Sequence, residues 1–301
     1  MTMTPLQRYV AEEIATDHAD GLLPRREALR RLGLLGLTAA AASTLLAACA
    51  SNKSESGTTT IGATASTTPP PGLEGAVATE PITFEGPSGK LTGAWAAAAD
   101  PRGVLLVIHE NKGLTDHIRS VAGRFAGAGY SALAIDLLSE EGGTGSFDDP
   151  AKATAALTAA PPERLLGDMK AGIDEMQRRA PGKKVGAIGF CMGGMLTWRL
   201  LASGEPRLDA AAPFYGPLPE GASFAGSHAA VIAMYGELDE RVNATRDAAT
   251  TALEVAGLPH EVVTERGANH AFFNDTSDRY DPTAAADAWQ RVLAWFGQYL
   301  G

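Results

Sequence analysis

An α/β fold, a mainly parallel sheet flanked by helices in a single domain, is what the sequence predicts, and three observations carry the expectation. Short apolar runs alternate with amphipathic segments through most of the chain, the rhythm of repeated βα units. The 301 residues are 45% apolar, enough for one substantial core. A glycine-flanked cysteine, Gly189-Phe190-Cys191-Met192-Gly193-Gly194, directly follows the apolar run Val185-Gly186-Ala187-Ile188, as where a strand turns sharply into a helix.

From the start of the chain, residues 1–49 read as an export signal. Arg25-Arg26 and Arg30-Arg31 precede an uncharged Leu/Ala-rich stretch from Leu32 to Ala48, a basic region followed by an apolar one, and the paired arginines suggest twin-arginine export. Leu46-Ala47-Ala48-Cys49 resembles a bacterial lipobox, which would make Cys49 a lipidated N-terminus in the periplasm or cell envelope. The plainer alternatives are cleavage near Ala48 without lipid, or an uncleaved anchor helix. Membrane contact is expected only through this segment. Residues 50–79 are rich in Ser, Thr and Pro and read as a flexible tether ending in Pro69-Pro70-Pro71, which leaves 80–301 as the folded domain.

Within that domain the expected strands are Leu91 to Ala96, Gly103 to His109, Ser131 to Ile135, Lys184 to Ile188, Ala210 to Phe214, Val231 to Tyr235 and Glu261 to Thr264. The expected helices are His117 to Ala128, Glu163 to Arg179, Met192 to Ala202, Ala244 to Ala256 and Thr283 to Tyr299. The last has the clearest start, because Asp281 can cap it and Pro282 suits its first position.

Polar groups gather where such strands end, the usual place for chemistry in an open α/β sheet. They are His109-Glu110, Cys191, Asp239 and His270, and the chain order of nucleophile, acid and histidine is that of an α/β-hydrolase. A thiol at its ordinary pKa is mostly protonated at neutral pH and needs a base, which His270 could supply with Asp239 fixing its tautomer. The helix opening at Met192 would favour thiolate and offer the Met192 N–H as one oxyanion donor. A second donor is expected from the loop around Glu110 and Asn111.

These residues resemble the dienelactone hydrolases, cysteine-dependent α/β-hydrolases that open unsaturated lactones. The resemblance covers most of the chain after Glu80. It rests on the Gly-x-Cys-x-Gly-Gly elbow, a Gly-x-x-Asp turn at Gly236 to Asp239, and a Gly-x-x-His-x-Phe motif at Gly267 to Phe272. It implies that Cys191 is the nucleophile, that Asp239 and His270 are its partners, and that Glu110 is the carboxylate that takes up the thiol proton when substrate arrives. One position departs from the pattern. The lactone hydrolases carry an arginine four residues after the histidine, where this chain has Asn274, so Lys112, Arg241 or Arg279 is expected to provide any substrate-binding cation.

The function implied is hydrolysis of a small carboxylic ester or lactone through a thioester, without metal or cofactor. A ligand-binding lipoprotein on the same fold and a broad carboxylesterase stand as alternatives. The net charge of −10 and the lack of a basic cluster after residue 31 argue against nucleic acid. His109-Glu110 does not extend to HExxH and the elbow glycines do not form GxGxxG, so neither a zinc protease nor a dinucleotide site is indicated. Oligomeric state is not legible in the sequence.

Overall fold

The computed structural model describes residues 3–53 and 69–301. An eight-stranded sheet runs in the order β1-β2-β4-β3-β5-β6-β7-β8. The strands are β1 (Glu80–Gly86), β2 (Gly89–Ala96), β3 (Gly103–Ile108), β4 (Tyr130–Asp136), β5 (Val185–Phe190), β6 (Leu208–Phe214), β7 (Ala230–Gly236) and β8 (His260–Glu265). β1 pairs antiparallel with β2, and β2 antiparallel with β4; the other neighbours are parallel. β3, β4, β5 and β7 are buried along their whole length, which is why they read as continuous apolar runs rather than alternating ones.

Ten α-helices are described. Three lie before the sheet: α1 (Pro5–Ala19), α2 (Arg25–Leu34) and α3 (Ala39–Lys53). The sheet is flanked by α4 (Asp116–Gly127), α6 (Pro162–Arg179), α7 (Met192–Ala202), α9 (Arg246–Ala256) and α10 (Pro282–Tyr299). The shorter α5 (Pro150–Ala159) and α8 (Glu240–Asn243) belong to the connections. The strand order turns back on itself between β3 and β5, so the loop after β3 and the turn after β5 open at the same crevice. That crevice receives Glu110 and Cys191.

Every expected strand and helix of the domain is present to within a few residues. β1, α5 and the short α8 are additional. Of the tether, residues 54–68 lie outside the described residues. The stretch from 69 to 79, expected as its end, runs against the domain: the Val77 N–H donates to the Gly123 carbonyl at 2.9 Å, and Gly72 lies against the Trp289 ring. Glycines in α4 permit this, since a Cβ on Gly127 would come within 1.9 Å of the Gly75 carbonyl oxygen.

Residues 3–49, expected as part of an address alone, form packed helices. Thr4 and Gln7 make a reciprocal capping box at the start of α1, and Leu6, Tyr9, Val10, Ala11, Ile14 and Ala15 are buried. α1 touches α2, α3 and α5. Arg30 of α2 pairs with Asp149 just before α5 at 2.6 Å. No helix among the described residues is long and apolar enough to cross a membrane.

Candidate active site

The turn after β5 carries the nucleophile candidate. Cys191 has φ 55° and ψ −116°, a left-handed conformation that a non-glycine residue adopts only where its surroundings impose it. Two glycines make the turn possible. A Cβ on Gly189 would stand 2.1 Å from the Gly193 carbonyl oxygen, and one on Gly193 would stand 2.3 Å from the Ile108 carbonyl oxygen. Neither position has room for a side chain, so β5, α7 and the end of β3 approach one another at backbone distance. Met192 is the first residue of α7, and its N–H is among the four that an α-helix leaves without an intrahelical acceptor.

Two later loops bring the acid and the histidine. Asp239 caps α8, its Oδ1 accepting from the Val242 N–H at 3.3 Å, while its Oδ2 accepts from His270 Nδ1 at 2.6 Å. Burial pushes the Asp239 carboxyl up, but the His270 charge and hydrogen bond, Arg241 and the Val242 N–H together outweigh it and hold the group below its usual range. The Tyr215 ring meets the imidazole edge-on at 5.2 Å and helps fix its plane. His270 Nε2 is buried without a protein partner. A ring nitrogen of His270, the Cys191 sulfur and a Glu13 carboxylate oxygen all lie within 4.8 Å of one another.

Glu13 belongs to α1 and was not among the residues expected here. The Cys191 thiol donates to Glu13 Oε2 at 3.4 Å, Asn111 Nδ2 donates to Glu13 Oε1 at 2.9 Å, and the Tyr9 hydroxyl donates to the sulfur at 3.4 Å. Burial pushes the thiol well above its ordinary pKa, and the carboxylates of Glu13 and Glu110 push it further. The Tyr9 hydrogen bond and Arg241 oppose them without prevailing. In this arrangement the sulfur is a thiol.

Glu110 was expected to take the thiol proton when substrate arrives; its hydrogen bond here is not to the thiol. Its Oε2 accepts from Asn274 Nδ2 at 2.6 Å instead, so it acts on Cys191 by charge, while Glu13 holds the hydrogen bond. Asn274, the residue that departs from the family pattern, thus still grips the glutamate. It lacks the cation. Of the cations expected near substrate, Lys112 and Arg279 line the cavity, and Arg279 pairs with Asp17 at 2.6 Å and with Asp20. Arg241 instead lies over the Tyr9 ring, 4.4 Å from its centroid.

The cavity holds about 280 Å³ and reaches both Cys191 and His270. The N-terminal segment lines it through Val10, Glu13, Ile14 and Asp17, together with Asn111, Ala271 and Asn274 from the domain. Glu13, Cys191 and His270 have the mutual spacing of metal donors. Their present partners suit proton transfer, with the thiol turned to a carboxylate and the imidazole backed by another. His109 is structural: its Nδ1 donates to the Glu110 carbonyl at 2.7 Å, its Nε2 accepts from the Leu137 N–H at 3.1 Å, and burial lowers its pKa.

Residues 92–300 match the model of the dienelactone hydrolase family. A candidate carboxymethylenebutenolidase of Escherichia coli O157:H7 is 32% identical over 214 residues, 67% of this chain and 79% of that one. Another from Methylorubrum extorquens is 30% identical over 220 residues, covering 68% and 75%. A crystal structure of a candidate dienelactone hydrolase from Klebsiella pneumoniae, 29% identical, superposes with a TM-score of 0.65 over 74% of this chain and all of its own. A carboxylic ester hydrolase by these relationships, the chain belongs to the dienelactone hydrolase family.

Proposed function

We propose that the protein is an exported hydrolase that opens small carboxylic esters or lactones through a thioester on Cys191, with His270 and Asp239 as its proton-handling partners. The observation that carries this reading is the His270 imidazole, bonded through Nδ1 to Asp239 Oδ2 at 2.6 Å and with a ring nitrogen within 4.8 Å of the sulfur. With substrate in place, His270 Nε2 takes the thiol proton and the sulfur attacks the carbonyl carbon. The oxygen takes up the negative charge and accepts a hydrogen bond from the Met192 N–H at the start of α7. Collapse expels the alcohol with a proton from the imidazolium. Water, deprotonated by His270, then cleaves the thioester and releases the acid, restoring the thiol.

Asp239 supports the imidazolium at each stage, since its carboxyl remains ionised. An Asn at 274 in place of the family's arginine favours substrates that need no cation at that position. Export rests on Arg25-Arg26 ahead of the uncharged stretch to Ala48, with maturation before Cys49. The test is a panel of 4-nitrophenyl acetate, simple lactones and dienelactones, assayed beside Cys191→Ala. Turnover should vanish in the variant, and an acyl adduct on Cys191 should be trapped by mass spectrometry in the parent. Equal turnover by the two proteins would refute the assignment.

A further inference from the structure

We propose that α1 is a built-in plug: its Glu13 carboxylate occupies the position where a substrate carbonyl must lie for Cys191 to attack it, and the chain is inactive until α1 withdraws or is cut away. The inference rests on the hydrolytic reading of Cys191. Four observations lead to it.

The sulfur is already surrounded. Glu13 and Tyr9 each contact it at 3.4 Å, and Cys191 is only 2% exposed although the cavity reaches it. An attacking thiolate needs its electrophile at about this distance, so both cannot be accommodated.

The occupant has the shape of a product. A carboxylate close to both a thiol and the catalytic imidazole, held by an amide donor from Asn111, is how the acid released by thioester hydrolysis would lie. Its charge also acts in the wrong direction for a helper. A group that stabilises the attacking thiolate by charge would lower its pKa, whereas Glu13 raises it.

The seat of the helix is specific. Tyr9, Glu13, Asp17 and Asp20 recur every three or four residues, on one face of α1 and its cap, and each meets a partner from the domain. Tyr9 lies under Arg241, Glu13 meets Asn111 and Cys191, and Asp17 and Asp20 meet Arg279.

The helix is also removable. It shares its apolar side with α2, α3 and α5, and its contacts at the cavity are mainly polar ones. Cleavage before Cys49, the maturation proposed above, removes α1 entire. The cut that matures the chain would therefore also uncover its thiol, and the uncut chain would hydrolyse little.

The experiment uses the full chain and two variants. Asp17→Arg with Asp20→Arg turns the Arg279 contact repulsive, 

and Glu13→Ala removes the occupant alone. Each is confirmed as folded by circular dichroism and gel filtration. Iodoacetamide labelling of Cys191, followed by peptide mass, and 4-nitrophenyl acetate turnover are measured in parallel. Both variants should label and turn over at least tenfold faster than the parent, with Cys191→Ala in each background as the blank. Unchanged or slower labelling in a folded variant overturns the plug, and lower turnover with faster labelling makes Glu13 a participant in the chemistry and overturns it too. Faster labelling with no turnover above the blank in any protein upholds occlusion of the thiol and refutes the hydrolytic reading instead.

Discussion

Replacing Glu13 with Gln keeps the size of the side chain and removes one negative charge beside the sulfur, so it isolates the electrostatic half of the α1 contact. A carboxylate 3.4 Å from a developing thiolate opposes it by about 5 kcal/mol at an effective dielectric of roughly 20. Glu13 is only half-buried, and solvent screening leaves about 1.4 to 2.7 kcal/mol, a ten- to hundredfold change in the thiolate fraction below its pKa. A thiolate of lower pKa is a weaker nucleophile, with a Brønsted slope of about 0.4–0.5, which returns roughly half of the gain on a logarithmic scale. Alkylation of Cys191 by iodoacetamide at pH 7 should therefore be about three- to tenfold faster in Glu13→Gln. The other charges and titratable groups facing the sulfur, Tyr9, Glu110, His270 and Arg241, are unaltered. The rate is followed from pH 5.5 to 10 by peptide mass, which separates Cys191 from Cys49. Because the thiol titrates well above its ordinary range, the advantage should persist across this window rather than close within it. A profile that coincides with the parent, or one displaced to higher pH, would show that the Glu13 charge is not what holds the proton on sulfur.

Gly193→Ala should cost about 3 kcal/mol, because the new methyl would stand 2.3 Å from the Ile108 carbonyl oxygen and β3 has no room to retreat; a thermal midpoint unchanged within 2 °C would refute this. Glu265, buried beside Asp287, has its pKa raised from 4.5 to about 7, so the folded state holds its proton more tightly than the unfolded one. Its contribution to stability is full below about pH 4 and is lost as pH rises through 7; Glu265→Gln should remove about 1–2 kcal/mol of that decline, after discounting for solvent screening, as read from urea midpoints between pH 5 and 8.

The central sheet was legible because β3, β4, β5 and β7 are buried along their whole length and leave uninterrupted apolar runs. β1 escaped because it is an edge strand that buries only Ile82 and Phe84 and carries Pro81, tolerated where no further strand must be paired. α5 was missed although its start, Asp149-Pro150, is the same cap that marked α10 at Asp281-Pro282. Its small residues, Ala-rich and nearly uncharged, give no amphipathic stripe. Within the site, Cys191, Asp239 and His270 could be named because backbone constraints and spacing mark them. The Glu110 contact could not. Its hydrogen bond goes to Asn274, while another carboxylate, 178 residues before Cys191, meets the thiol.

That earlier carboxylate had a signal of its own. Thr4-Pro5-Leu6-Gln7 is a capping box with proline at the first helical position, and Leu6, Val10 and Ile14 follow at a four-residue spacing. The four acids Glu12, Glu13, Asp17 and Asp20 precede the arginine pairs, although the amino-terminal region of an export signal calls for basic residues. An address requires only the arginines and the apolar stretch after them. It requires no capped helix, and no carboxylates spaced to meet Asn111 and Arg279. If the proposed export and the proposed plug both hold, two separate demands act on the first fifty residues, one read along the chain by composition and one visible only when the chain folds back on its own site. The apolar stretch from Leu32 to Ala48 dominates composition and hides the second demand, since a segment assigned to removal is not asked what it packs against. Where a leader carries a capped amphipathic helix with acids on a single face, the physical question is which cations of the folded domain that face fits, and here Arg279 and Arg241 answer it.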